Sequence, residues 1–356
     1  LIDNGIANGF ADPGTGLTWL QPDWPAPARV RAASTSRLGG LSQGPYASLN
    51  LATHVGDDPQ SVADNRALLQ QALSLPSQPL WLEQVHGCEV ACLEMPPREF
   101  LPIQADASYS NHPGAVCAVM TADCLPLLLC DRNGSEVAAV HAGWRGLCDG
   151  VIEAAVARFS APPEELLAWL GPAIGPQAFE VGAEVREAFV RRDAAAAEAF
   201  VSAGLENAAS RINLTTMGRA EPPQKMTVCS PLIVFPPPNP LPGGGGASER
   251  FATFTVTAQA AKPLASLVRG IGERGAVPTQ AIYSSPEPRV PSPVNKYFAD
   301  IFLLARQRLQ TLGIDQISGG GLCTYSDPEH FFSYRRDGVC GRMATLIWIE
   351  PEEPMQ

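Results

Sequence analysis

The chain has 356 residues, 45% of them hydrophobic and 17% charged, which suits one large domain or two small ones. Its formal charge of -11 gives a field that repels nucleic acid and anionic membranes, so a phosphate-bearing partner needs a local basic pocket. No run of about 18 apolar residues is present to cross a bilayer, and no basic stretch followed by an apolar one follows Leu1, so we expect a cytoplasmic protein.

Residues 1–17 are Gly-rich and weakly patterned and read as a tail. Globular text begins at residue 18 and is clear from Arg29. Asp58 as N-cap, Pro59 at N1 and apolar Val62, Leu68, Leu69 and Leu73 predict a helix. Residues 115–120 and 125–130 read as strands broken by Thr121-Ala122-Asp123-Cys124, and 136–141 as another strand. Ala142-Gly143-Trp144-Arg145-Gly146 is a glycine-flanked turn before a helix over 149–159. A strand at 166–170 and a helix at 184–191 follow. The pattern then fails. Residues 205–293 hold 14 of the chain's 34 prolines and the run Gly243-Gly244-Gly245-Gly246, a composition poorly suited to offsetting ordering entropy. We read 205–294 as a Pro/Gly-rich insertion without stable packing. Globular text returns over 295–350, with an amphipathic helix from Lys296 through Phe302, Leu303, Ala305 and Leu309 to Gly313, and a strand at 344–349. Residues 351–356 read as a tail.

The nine cysteines include no Cys-x-x-Cys pair, which excludes a zinc ribbon and suits a reducing compartment. Of five histidines, His86 precedes Gly87 and His141 closes a strand before a glycine turn. Cys124 opens the strand between them. Two imidazoles and a thiolate suit zinc, and three protein ligands leave a fourth position for water or substrate. The alternative is that both histidines are ordinary polar residues and Cys124 belongs to the core. Spacing leaves both open. Arg145, between two glycines before a helix, is either an anion-binding residue or a surface arginine at a turn. Trp144 could stack on a flat substrate or fill the core. Asp123 is a candidate acid or base, although strand geometry turns it away from Cys124. Arg335-Arg336 is an anion clamp or a solvated turn.

Six motifs together resemble the laccase-domain (YfiH-like) family. They are Gly44-Pro45-Tyr46-Ala47-Ser48-Leu49-Asn50-Leu51, Gln84-Val85-His86-Gly87, Thr121-Ala122-Asp123-Cys124-Leu125-Pro126, His141-Ala142-Gly143-Trp144-Arg145-Gly146, Leu170-Gly171-Pro172-Ala173-Ile174-Gly175 and Phe331-Phe332-Ser333-Tyr334-Arg335-Arg336-Asp337-Gly338. The resemblance spans 18–204 and 295–350. Bacterial members of that family are called polyphenol oxidase, purine nucleoside phosphorylase or peptidoglycan editing factor. It implies an α/β domain of the α+β type, with mixed sheets flanked by helices. It also implies zinc on His86, Cys124 and His141, with those residues catalytic, and Asn50, Trp144 and Arg145 are our candidates for substrate binding. The implied chemistry is phosphorolysis of adenosine, inosine and methylthioadenosine, with adenosine deamination beside it. A monomer or small homo-oligomer acting on a purine nucleoside and phosphate is expected. The 205–294 segment is the departure from the family pattern.

Three other functions compete. A true multicopper oxidase needs about ten histidines, largely in His-x-His pairs, and this chain has five and no such pair. Copper on the same three residues would support only weak phenol oxidation. Cys124 as nucleophile with His141 as base would make a metal-free hydrolase, as in peptidoglycan editing. A binding protein that uses its metal structurally is the non-enzymatic option.

Overall fold

The computed structural model describes residues 9–93, 103–203 and 295–351, so the 205–294 segment and the 352–356 end lie outside the described residues. Sixteen strands are labelled here in chain order. They are β1 (Gly9–Ala11), β2 (Thr18–Leu20), β3 (Val30–Thr35), β4 (Leu82–Glu83), β5 (Val90–Cys92), β6 (Ile103–Gln104), β7 (Ala107–Ser110) and β8 (Val116–Thr121). Then come β9 (Leu125–Asp131), β10 (Val137–Ala142), β11 (Leu166–Leu170), β12 (Glu180–Gly182), β13 (Phe200–Ser202), β14 (Lys296–Ala299), β15 (Gln316–Gly319) and β16 (Met343–Ile349). The α-helices are α1 (Pro59–Ala72), α2 (Trp144–Asp149), α3 (Val151–Val156), α4 (Ala183–Arg192), α5 (Ile301–Thr311) and α6 (Tyr334–Asp337).

Two sheets dominate. One runs β1-β2-β3-β16-β8 and the other β15-β11-β9-β10-β7-β5. Their strands lack polar–apolar alternation because both faces are covered. In β9, Leu125, Leu127 and Leu129 turn to one core while Leu128 and Cys130 turn to another. The second core lies between the sheets, where Leu128, Cys130, Val137 and Ala139 meet Cys117, Val119 and Ile347. On the outer face of the six-stranded sheet, Leu127, Val140 and Ala168 pack on Val151 and Ile152 of α3 and Phe302 and Leu309 of α5. On the outer face of the five-stranded sheet, Ala118, Met120 and Leu346 pack with Leu49, Leu51 and Leu69 of α1. The result is helix, sheet, sheet, helix, the α/β architecture with mixed sheets that the sequence led us to expect.

Three local features differ from the sequence reading. Gly9–Ala11, read as tail, forms an edge strand antiparallel to β2. The helix expected over 149–159 is two short helices parted by Gly150, whose φ of 109° is left-handed. Lys296 sits in a strand, and the following helix starts at Ile301 with Asp300 accepting from the Leu303 amide at 2.9 Å. For the site, what matters is that β8 and β9 lie in different sheets. The chain crosses from one sheet to the other through Ala122-Asp123-Cys124.

Candidate metal centre

That crossing places Cys124. Asp123, at its corner, has a φ of 97°, a strained value for a non-glycine residue. It is held there from three directions. Thr324 Oγ1 donates to its carboxylate at 2.7 Å, the Arg335 amide at 2.6 Å, and the Ile174 amide donates to its carbonyl at 2.9 Å. Asp123 is thus occupied as a structural anchor facing the C-terminal segment, which removes it as the acid or base. His141 ends β10 opposite Pro126 of β9, so antiparallel pairing brings it to the same sheet end as Cys124. His86 arrives on the loop after β4.

Asp106, a residue that no sequence motif singled out, ties the histidines together. It is fully buried immediately before β7. Its Oδ1 accepts from His141 Nδ1 at 2.7 Å and from the His86 amide at 2.9 Å. Its Oδ2 accepts from the amides of Gly87 at 2.6 Å and Val85 at 3.1 Å. These bonds hold His86 at a φ of 62°, another left-handed value that a free loop would abandon. They also fix the His141 tautomer, leaving Nε2 as the nitrogen available to a metal.

The ligand atoms of His86, Cys124 and His141 lie within 4.8 Å of one another. Cys124 Sγ is 3.6 Å from His86 Nε2. Tetrahedral zinc with Zn–S near 2.3 Å and Zn–N near 2.05 Å requires an edge of about 3.6 Å, so this pair fits. Gly143 leaves the space. A Cβ there would lie 2.6 Å from His86 Cδ2 and 3.2 Å from both His86 Nε2 and Cys124 Sγ, so only glycine lets these two side chains sit as they do. Two imidazoles and a thiolate this close are a donor set that can hold a metal ion and leave a position to another ligand.

Charge within the cluster agrees. Burial pushes the Cys124 thiol up, but the His141 charge and hydrogen bonds from both histidines outweigh it and bring it down to about 6. Burial likewise opposes charge on His141, and the Cys124 thiolate and Asp106 raise it. A thiolate ready to bind is the outcome.

The cluster opens on a cavity of about 340 Å³, lined also by His54, Gln84, Met120, Thr121, Ala122, Tyr334 and Arg342. Gln84 is spent on the Met120 backbone, donating to its carbonyl and accepting from its amide, both at 2.8 Å. The other sequence candidates lie elsewhere. Asn50 is fully buried, its amide bonded to Asp57 and the Ala52 carbonyl and its oxygen to the Ala52 and Arg342 amides. It braces a loop rather than facing the cavity. Trp144 packs against the helix-side core, and the exposed Arg145 stacks on it, with Cζ 4.5 Å from the ring. Neither lines the cavity. Arg336 clamps the carbonyls of Thr324, Tyr325 and Phe331, so the Arg335-Arg336 pair acts in the fold. His54 and Arg342, which do line the cavity, carried no motif beyond being polar residues near glycines.

A His/Cys/His group able to hold a metal, at one end of an αββα sandwich, defines a class, and sequence comparison identifies it. The chain belongs to the multi-copper polyphenol oxidoreductase laccase family, whose model matches residues 31–221 and 274–350. The match is interrupted only over 222–273, inside the segment that composition marks as an insertion. Among relatives, the purine nucleoside phosphorylase YfiH of Shigella flexneri is 44% identical over 330 residues, covering 93% of this chain and 98% of that protein. The Escherichia coli K12 protein of the same name is 43% identical with the same coverage. A crystal structure of a Neisseria meningitidis protein superposes with a TM-score of 0.65 at 36% identity, covering 94% of this chain and 99% of that one. YlmD from Geobacillus stearothermophilus gives 0.61 at 26% identity, covering 94% and 96%. No helix among the described residues is long and apolar enough to cross a membrane.

Proposed function

We propose that this protein is a zinc-dependent purine nucleoside phosphorylase acting on adenosine, inosine and methylthioadenosine, with adenosine deamination as a side activity. The observation that carries the reading is the His86–Cys124–His141 group beside an open cavity. The names of relatives at 43–44% identity support the same substrate class. Zinc held by these residues supplies a Lewis acid for charge developing on a reacting oxygen or leaving base. Phosphorolysis builds positive charge on ribose and negative charge on the purine, so it needs fixed dipoles and a cation site together. His141, locked by Asp106, and Cys124, fixed by the sheet crossing, give that rigidity. Met120 and Tyr334 supply an apolar wall suited to a purine ring. One thiolate and two imidazoles with an open fourth position support the choice of zinc.

The test is release of free base and ribose 1-phosphate from inosine and adenosine, with metal content measured on the same sample. Zinc-loaded protein that releases base from none of the three nucleosides in the presence of phosphate overturns the reading. The thiol brought down to about 6 beside a charged imidazole favours one second reading, a Cys124/His141 hydrolase. Turnover that survives chelation and is lost on alkylation of Cys124 would establish that one instead.

A further inference from the structure

We infer that Arg342, Arg66 and His54 form an oxyanion subsite beside the metal cluster that holds free inorganic phosphate; the inference rests on the phosphorylase reading. A second cavity of about 620 Å³ adjoins the first, and His54, Gln84 and Met120 line both. Arg342 lines the metal-side cavity and Arg66 the other. His54 thus stands between them, on the wall shared by both spaces, and the charge of each arginine reaches it.

Their hydrogen bonds leave capacity unspent. Arg342 is anchored by its Nη1 on the Cys340 and Gly341 carbonyls at 2.9 and 3.0 Å, and its Nε and Nη2 donate to no acceptor among the described residues. Arg66 donates from Nε to the Leu51 carbonyl at 2.9 Å and lies 4.2 Å over the Trp81 ring, with both Nη atoms uncommitted among those residues. The His54 ring makes no hydrogen bond there. Neither arginine has a carboxylate partner among the described residues, although the chain carries 36 acidic side chains against 25 basic ones. Half-buried guanidinium groups without counterions are costly unless an anion joins them. Burial brings Arg66 down to about 10, and burial followed by Arg342 and Arg66 depresses His54. Glu83, on the wall of the second cavity, is the acidic group that opposes them. Fixed guanidinium forks with free N–H edges match the tetrahedral oxygens of phosphate. In a chain of charge -11, this is the local basic pocket that an anionic co-substrate requires.

Calorimetric titration of inorganic phosphate into R342Q, R66Q, H54Q and wild-type protein tests the assignment, with zinc content and thermal unfolding measured on each. R342Q is expected to weaken phosphate binding by about tenfold or more, the loss of one charge-assisted pair, with a parallel rise in the phosphate KM. If R342Q fails to fold, R66Q and H54Q carry the test, each weakening phosphate by about threefold or more. Wild-type protein that binds no phosphate at about 10 mM, above the usual KM range, overturns the inference. So does affinity lost in Arg145→Gln and retained in R342Q. Adenosine monophosphate titrated in parallel separates the two sources of such an anion: binding tighter than phosphate, in competition with it, overturns the assignment to the free ion. Phosphate binding that the variants abolish, in a protein without phosphorolysis, upholds the subsite and removes the phosphorylase reading. Phosphorolysis with unaltered phosphate binding in all three variants does the reverse.

Discussion

Replacing Asp106 by Asn changes one atom and disturbs both histidines. The carboxylate accepts four hydrogen bonds, three from the backbone of the His86 loop and one from His141. An amide keeps one acceptor oxygen and turns an NH2 toward donors on its other side. Either His141 Nδ1 or the Gly87 amide then meets a donor. Hydrogen bonds to a charged acceptor contribute about 1.5–3 kcal/mol each, but the amides of Val85 to Gly87 are partly open to water and recover much of theirs. The Asp106–His141 bond lies between fully buried groups and recovers little. A destabilisation of about 2–4 kcal/mol follows, with His86 free to leave its left-handed φ. Loss of such an outer partner weakens a metal by about 10–100-fold. Competition against a chromophoric chelator measures the affinity, and urea unfolding the stability. Zinc affinity within twofold of wild type in D106N would refute the argument that this carboxylate organises the site. Asp106→Glu, which keeps the charge but overreaches the loop, should lose affinity as well.

Gly143→Ala should abolish stoichiometric zinc, because its φ of -63° tolerates alanine but the added methyl, 2.6 Å from His86 Cδ2, must push the His86 ring aside; normal zinc content would contradict this. Cys124→Ser and His141→Ala should each lose metal with secondary structure retained by circular dichroism, and full occupancy in either would remove that residue from the ligand set. The Tyr109 phenol is raised by burial and by its hydrogen bond to Glu136, so the folded state keeps it protonated. Its contribution is complete below the unfolded value of about 10 and is lost as pH rises beyond it, so the stability gap between wild type and Tyr109→Phe should shrink from pH 8 to about 11. A gap that stays constant in urea unfolding across that range would disprove the coupling.

The three residues that the fold brings together were legible because each sits beside a chain-reversal signal: His86 before Gly87, Cys124 after the polar break in an apolar run, and His141 before Gly143. The strands around them were equally plain, as apolar runs of strand length at 116–121, 125–131 and 137–142. Sheet membership was not. A strand apolar on both faces carries no mark of its neighbours, so the two runs do not tell that the chain changes sheet between β8 and β9. Asp106 escaped because a buried carboxylate acts through tertiary contacts with 85–87 and 141, and no local pattern announces it. Asn50 and Arg145 belong to distinctive motifs and still point away from the cavity, one bracing a loop and the other lying on Trp144. His54 before α1, Arg66 within it and Arg342 before β16 line adjoining cavities only once those elements have packed.

The crossing at Cys124 bears on when a metal can bind during folding. His86, Cys124 and His141 come from three separate stretches, and their convergence requires that the chain has already changed sheets at residues 122–124. A metal ion therefore has no compact binding loop to nucleate around, unlike a finger whose ligands lie within one hairpin. Capture of an ion at these residues would then be a late event, sealing a finished architecture. Its stabilising effect grows with free metal concentration as RT ln(1 + [L]/Kd) and is expressed mainly as slower unfolding, because the contacts it makes are absent until the two sheets have docked.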